Sequence, residues 1–216
     1  MSFQLNQLVL VRIVVSIGDV ALAARTYTLN LIVFSIVWSF ALALGTQIKV
    51  AHFVGARRFD EAQAQLLRSL KLGMVLGFSV MVVLAAVARP LYGLFTHDPA
   101  ILALGQTLML LGLLLEPCRT SNMVVGGSLR GSGDARFPSL VSVGLTWGIA
   151  IPLAWVFTSR LHFGLVGVWL AMIIDELSRG LMNFLRWQTG IWRHKGVLET
   201  EAEAEKLSGA LPESPG

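Results

Sequence analysis

From Thr26 to Ile48 the chain runs for 23 residues without a charged side chain, and 137–159 repeats the feat; 72–88 and 99–115 add two further stretches of 17. A water-soluble fold has no use for such runs, whereas about 20 apolar residues in a helix cross the ~30 Å hydrocarbon core of a bilayer. Open strands are excluded there because lipid cannot satisfy their backbone groups, and the runs lack the alternation of a barrel strand. Composition agrees: 55% of residues are apolar and 14% charged, where a soluble domain carries about a quarter charged. The mean hydropathy is +0.69. At these span lengths 216 residues hold about six helices and no separate soluble domain.

Apolar runs and their punctuation give six helices, at 1–18, 26–48, 70–89, 100–126, 137–158 and 163–185. Leu8 to Ile17 followed by Ala-Leu-Ala-Ala imitates a signal peptide, but no basic residue precedes the run and Arg12 interrupts it. Alternate connections fall on opposite faces of a membrane, so basic residues can be counted by side. One side collects Lys49, Arg57, Arg58, Arg68, Lys71, Arg130, Arg136, Arg186, Arg193, Lys195 and Lys206; the other has Arg25, Arg89 and Arg160. Positive charge marks the cytoplasmic face, so the C-terminus is expected inside an inner (plasma) membrane crossed several times. The net charge of +4 is thereby explained without nucleic acid.

Residues 57–67 carry apolar side chains at 59, 62, 66 and 67, the spacing of an amphipathic helix, and are expected to lie on the inner surface. Residues 186–216 read as a cytoplasmic tail, basic and then acidic, too poor in apolar groups to fold.

No enzyme signature emerges. The four histidines sit at or beyond the ends of the apolar runs, there is no H-E-x-x-H pattern, and the glycine-rich stretch at 127–133 lacks the Lys-Ser/Thr ending of a phosphate-binding loop. With Cys118 as the only cysteine, an intrachain disulfide and a C-x-x-C site are ruled out. No metal and no cofactor is expected.

Ionisable residues inside the spans stand out, because each costs about 2.5–3.5 kcal/mol at mid-bilayer unless compensated. Glu116 lies three residues before Arg119, and Asp175 and Glu176 lie four and three before Arg179, the spacings of helical ion pairs. One reading makes them internal pairs that neutralise each other; the other makes the acids proton- or cation-coupling groups facing a cavity. Glu116 is the stronger candidate, because Pro117 should kink its helix and free a carbonyl nearby. For Asp175 and Glu176, anchoring Arg179 near the inner interface is the favoured role. Gln4, Asn6, Asn30 and Asn122 are polar groups that suit a cavity or a bundle interior, and Gly73 and Gly77 have the spacing that lets helices pack closely.

The stretch Gly127-Ser-Leu-Arg-Gly-Ser-Gly-Asp-Ala-Arg-Phe-Pro138 resembles the loop between the tenth and eleventh helices of the multidrug and toxic compound extrusion (MATE) family. Thr46 to Ala62 is similar to that family's connection between helices eight and nine, and Gly164 to Ala171 and Arg179 to Trp192 to its twelfth helix and exit. The resemblance covers about residues 1–196. It implies one lobe, the C-terminal six-helix lobe, of a twelve-helix transporter that exchanges protons or sodium ions for amphipathic, often cationic, organic compounds. It also implies that Met1 falls inside the seventh helix, which is thereby shortened, and that the partner is an N-terminal lobe. Gly127, Arg130, Gly131, Gly133, Asp134 and Pro138 would be the structural loop motif. Glu116 lies on the helix where members place a second-lobe cation-binding acid.

The expected protein is therefore an all-α integral membrane protein, a six-helix bundle acting in efflux, with the lipid bilayer, an organic cation and the other lobe as partners. Three alternatives stand beside it: a flippase for lipid-linked saccharides from a related transporter group, a non-transporting membrane fragment or subunit, and a membrane-embedded enzyme. A flippase cavity should be basic to hold pyrophosphate, whereas three of the five charges within the fourth and sixth spans are acids.

Overall fold

The computed structural model describes residues 2–193, with side chains from residue 5 onward. Among these residues the chain is helical: α1 (Ser2–Val15), α2 (Asp19–Gly55), α3 (Phe59–Ala86), α4 (Ala88–Gly93), α5 (Pro99–Gly131), α6 (Arg136–Leu145), α7 (Ile151–Ser159) and α8 (Gly164–Gln188). A π-helical turn, Thr146–Ala150, joins α6 to α7, so 136–159 forms one continuous span. Among the described residues four spans are long and apolar enough to cross a membrane: α2, α3, α5 and this composite one. α8 has 25 residues, enough to cross, but carries Asp175, Glu176 and Arg179 at its middle.

Several elements run further than their apolar cores suggest. α2 extends to Gly55 and α3 begins at Phe59, so the connection expected across 49–69 shrinks to Ala56–Arg58. The cause is a stripe, Ala43, Thr46, Val50 and Val54, that stays buried past the membrane segment while Lys49 points outward. Arg57, at φ 57°, makes the turn. The surface helix expected at 57–67 is in fact the opening of α3, with Ala62 and Leu66 fully buried.

α5 also runs on, to Gly131, so Gly127, Arg130 and Gly131 belong to its last turns and only Ser132–Ala135 is loop. Gly133, at φ 85°, reverses the chain there. The expected tail from 186 onward needs correction as well. Arg186–Gln188 complete α8, and Trp192 is buried and stacked on Trp187 at 4.0 Å between ring centroids. Trp192 Nε1 donates to the Trp187 carbonyl at 2.9 Å, and Trp187 Nε1 to Gln63 Oε1 at 2.5 Å, which ties the end of α8 to the start of α3. Residues 194–216, the remainder of that tail, lie outside the described residues.

α5 is the central pillar, packed against α2, α3 and α8. Small residues allow the approach: a Cβ on Gly73 would lie 2.6 Å from Thr120 Cγ2, and one on Gly112 would collide with Met81. One apolar cluster (Leu10, Val14, Leu108, Leu115, Val168, Trp169) fills the end that holds the turn from α1 into α2. Another (Val54, Leu66, Val125, Leu129, Trp187, Trp192) fills the end carrying the arginine-rich connections. Leu, Val and Phe side chains such as Phe34, Val37, Val83, Leu114 and Leu140 face outward, as a lipid-bathed surface requires.

Candidate functional site

Between the two clusters lies a polar layer at the middle of three helices. Ser35 is the seventeenth of 37 residues in α2, Glu116 the eighteenth of 33 in α5, and Glu176 the thirteenth of 25 in α8. Counting residues from the ends of the apolar runs puts both acids inward of centre; the extended helices move them to mid-length.

Glu116 is fully buried, at 0% exposure. Its Oε2 accepts from Ser35 Oγ at 2.9 Å, and its Oε1 pairs with Arg119 Nη1 one turn away. Arg119, 7% exposed, also faces a second acid: its Nε lies 3.7 Å from Glu176 Oε1 on α8. Glu176 Oε2 accepts from Asn122 Nδ2 at 2.8 Å, and Asn122 Oδ1 accepts from Asn183 Nδ2 at 3.1 Å. Beside this chain Ser39 and Thr120 share a hydrogen bond of 2.8 Å. α5 stays helical through Pro117; the imino nitrogen cannot donate to the Leu113 carbonyl, one turn before the carboxylate.

Sequence spacing assigns both Asp175 and Glu176 to Arg179, and the packing divides them. Asp175 keeps Arg179, with Oδ2 at 2.5 Å from Nη2, while Glu176 turns to Arg119. Arg179 also donates to Thr146 Oγ1 at 2.6 Å and Ser142 Oγ at 3.2 Å, which fastens α8 to the π-helical turn and the end of α6. Asp175 and Arg179 thus form a neutral strut. Glu116, Arg119 and Glu176 do not balance: two carboxylates share one guanidinium, and with both ionised the group carries one net negative charge.

The other polar residues separate. Asn122 joins the layer. Asn6 is buried on α1, its Oδ1 without a hydrogen-bond partner among the described residues. Asn30 points outward from α2. Gln4 lies in α1, its side chain outside those described.

The glycine motif is a docking device: a Cβ on Gly127 would lie 3.1 Å from the Ala43 carbonyl oxygen and one on Gly131 2.4 Å from that of Gln47. Buried Asp134 accepts from Arg186 Nε at 2.7 Å, Arg186 covers the Phe137 ring, Pro138 is buried and Arg130 is exposed. Sequence reasoning misses Ser35, Ser39, Thr120 and Asn183. The hydroxyls carry no signal inside an apolar run, but Asn183 follows Glu176 by seven residues and so lies on the same helix face.

A bundle of membrane-crossing helices with unbalanced acids at its centre defines a multi-pass membrane protein. The family model MatE matches residues 1–156, well over half of the chain, and the chain belongs to that family. It is 34% identical over 197 residues to the uncharacterized transporter YisQ of Bacillus subtilis (strain 168), covering 91% of this chain and 43% of the relative. To the probable multidrug resistance protein NorM of Thermotoga maritima it is 23% identical over 203 residues, covering 94% and 44%. Among solved structures it is similar to an outward-facing multidrug resistance MATE family transporter of the MOP superfamily, with a TM-score of 0.78, 24% identity and coverage of 90% and 43%. A MATE structure in complex with MaD5 gives a TM-score of 0.77 at 25% identity, covering 84% and 41%. The chain spans less than half the length of these relatives, and its fold is that of one lobe.

Proposed function

We propose that this chain is the C-terminal lobe of a proton-coupled exporter of amphipathic organic cations, working with an N-terminal lobe in an inner membrane with its C-terminus in the cytoplasm. The observation that carries the reading is the unbalanced triad of Glu116, Arg119 and Glu176. A proton on either carboxylate makes the group neutral; without it the group is negative, and an organic cation in an adjoining cavity is attracted. Proton and cargo then compete for one charge, which is the physical requirement of an antiporter whose lobes rock about a central site. A sodium ion between the carboxylates would have to displace the guanidinium, so the triad favours the proton as coupling ion. The relatives described as probable multidrug resistance proteins support the cargo class, and the skewed distribution of basic residues supports the orientation.

Glu116→Gln fixes the triad in its neutral, proton-loaded charge state. In everted membrane vesicles carrying the assembled transporter, the variant is expected to lose pH-gradient-driven transport of ethidium, and ethidium binding is expected to release no proton. Transport at the wild-type rate by a variant present at normal level overturns the assignment.

A further inference from the structure

The hydrogen-bonded chain continues past the triad toward the arginine-rich end of the bundle. Beyond Glu176 it passes through Asn122 to Asn183, which is 2% exposed and whose Oδ1 has no hydrogen-bond partner among the described residues. Asn183 lies five residues before the last residue of α8, about 8 Å along the axis at 1.5 Å per residue. The residue facing it on α5 has no side chain. A Cβ on Gly126 would lie 3.3 Å from Asn183 Nδ2 and 3.5 Å from Arg130 Nη1, so the buried amide and the exposed guanidinium meet over a glycine. In the opposite direction, Leu108, Leu115, Val168 and Ala171 close the packing around α5 and α8 with apolar atoms.

An amide oxygen buried without a donor is unfavourable, so Asn183 Oδ1 calls for a polar guest, while Asn122 has both its amide atoms paired. An amide is itself too weak an acid and base to carry a proton; what it does well is hold water. We propose that Asn122 and Asn183 position a hydrated leg along which a proton passes between the triad and the arginine-rich end of the bundle. The proposal rests on the triad being the proton-coupling site. In the step itself the O–H bond of the protonated carboxyl breaks, a water takes the proton and hands it along, and Arg119 holds the carboxylate left behind. The groups around Glu116 are Arg119 on its own helix, Glu176 from α8 and Ser35 from α2; α3 contributes Gly73 and Gly77 beside the neighbouring Thr120. The proposed leg joins the acids to the arginine-rich end of the bundle, and alternating access requires a one-sided connection of this kind in each state.

Two substitutions at one position separate a water-holding role from packing. Leucine fills the place of asparagine but repels water; serine leaves a gap and keeps a hydrogen-bonding group. In the assembled transporter, Asn183→Leu is expected to lose most of the pH-driven ethidium transport while ethidium still binds at fixed pH with wild-type affinity, and Asn183→Ser is expected to keep the rate. Wild-type transport by Asn183→Leu, with Glu116→Gln inactive, overturns the leg and leaves the triad assignment standing. The reverse order, serine worse than leucine, also overturns it by showing that Asn183 only packs. Wild-type transport by Glu116→Gln removes the coupling site and the leg with it. Should Asn183→Leu fail to reach the membrane, Gly126→Ala decides, since its methyl group would sit against the Asn183 amide: a reduced rate supports the leg, and an unchanged one overturns it.

Discussion

Arg119 is the residue on which the buried layer depends. It faces Glu116 on its own helix and Glu176 on the next, so removing it leaves two carboxylates close together and deep in the bundle. Breaking a buried pair by deleting one partner costs about 3–5 kcal/mol, because an uncompensated charge remains. Arg119→Met is therefore expected to lower the melting temperature of the detergent-solubilised protein markedly. Combining it with Glu116→Gln and Glu176→Gln should restore most of the loss, since no charge is then left unpaired. Equal melting temperatures for wild type and Arg119→Met, measured on the purified proteins, would argue against the shared pairing. At this scale the sequence exposes the ion pairs made within one helix and conceals the one made between two. The three-residue spacing from Glu116 to Arg119 is visible in the chain. The contact from Glu176 to Arg119 is not, because Arg179 stands at a helical spacing from Glu176 and only the packing of α5 on α8 decides between them.

Among the elements, six apolar runs are legible because hydrocarbon demands about 20 uncharged residues per crossing, and that demand is written in the composition. The ends are less so. Outside the hydrocarbon a helix continues through charged residues as long as one face stays buried, as Lys49 and Val50 illustrate in α2, and charge alone reads as loop. The glycine motif is legible as a pattern, but its work is visible only with α2 in place. Gly131 sits where a Cβ would come within 2.4 Å of the Gln47 carbonyl oxygen, a backbone atom that cannot rotate away. Gly131→Ala is expected to push α5 off α2 at that end, at the ~1–3 kcal/mol typical of overpacking. Gly45 lies on the same helix as Gln47 and has open space around its Cβ position, so Gly45→Ala is its control. Thermal unfolding of the two variants should separate them by several degrees; matching curves would show that α2 and α5 are looser there than the packing implies.

For the whole molecule, the two ends of the bundle differ in charge, and that difference predicts how it sits in the membrane. The turn at Ala56–Arg58, the loop at Ser132–Ala135 and the exit after Gln188 share one end with Arg57, Arg58, Arg130, Arg136, Arg186 and Arg193. The opposite connections, including Arg160–Phe163, hold few basic residues. Retention of positive charge on the cytoplasmic side gives each connection an address, and the proposed direction of proton flow depends on it. Cys118 is the only cysteine, so a Cys118→Ser background allows single reporters to be installed at exposed sites on either end. Ser159→Cys, at the end of α7, should react with a membrane-impermeant maleimide in intact cells. Thr189→Cys, just past α8, should react only after the membrane is opened. Both positions are exposed in the folded lobe, so burial does not mimic protection by the bilayer. Labelling of Thr189→Cys but not Ser159→Cys in intact cells would invert the lobe, and the hydrated leg would then open to the outside and carry protons toward the triad.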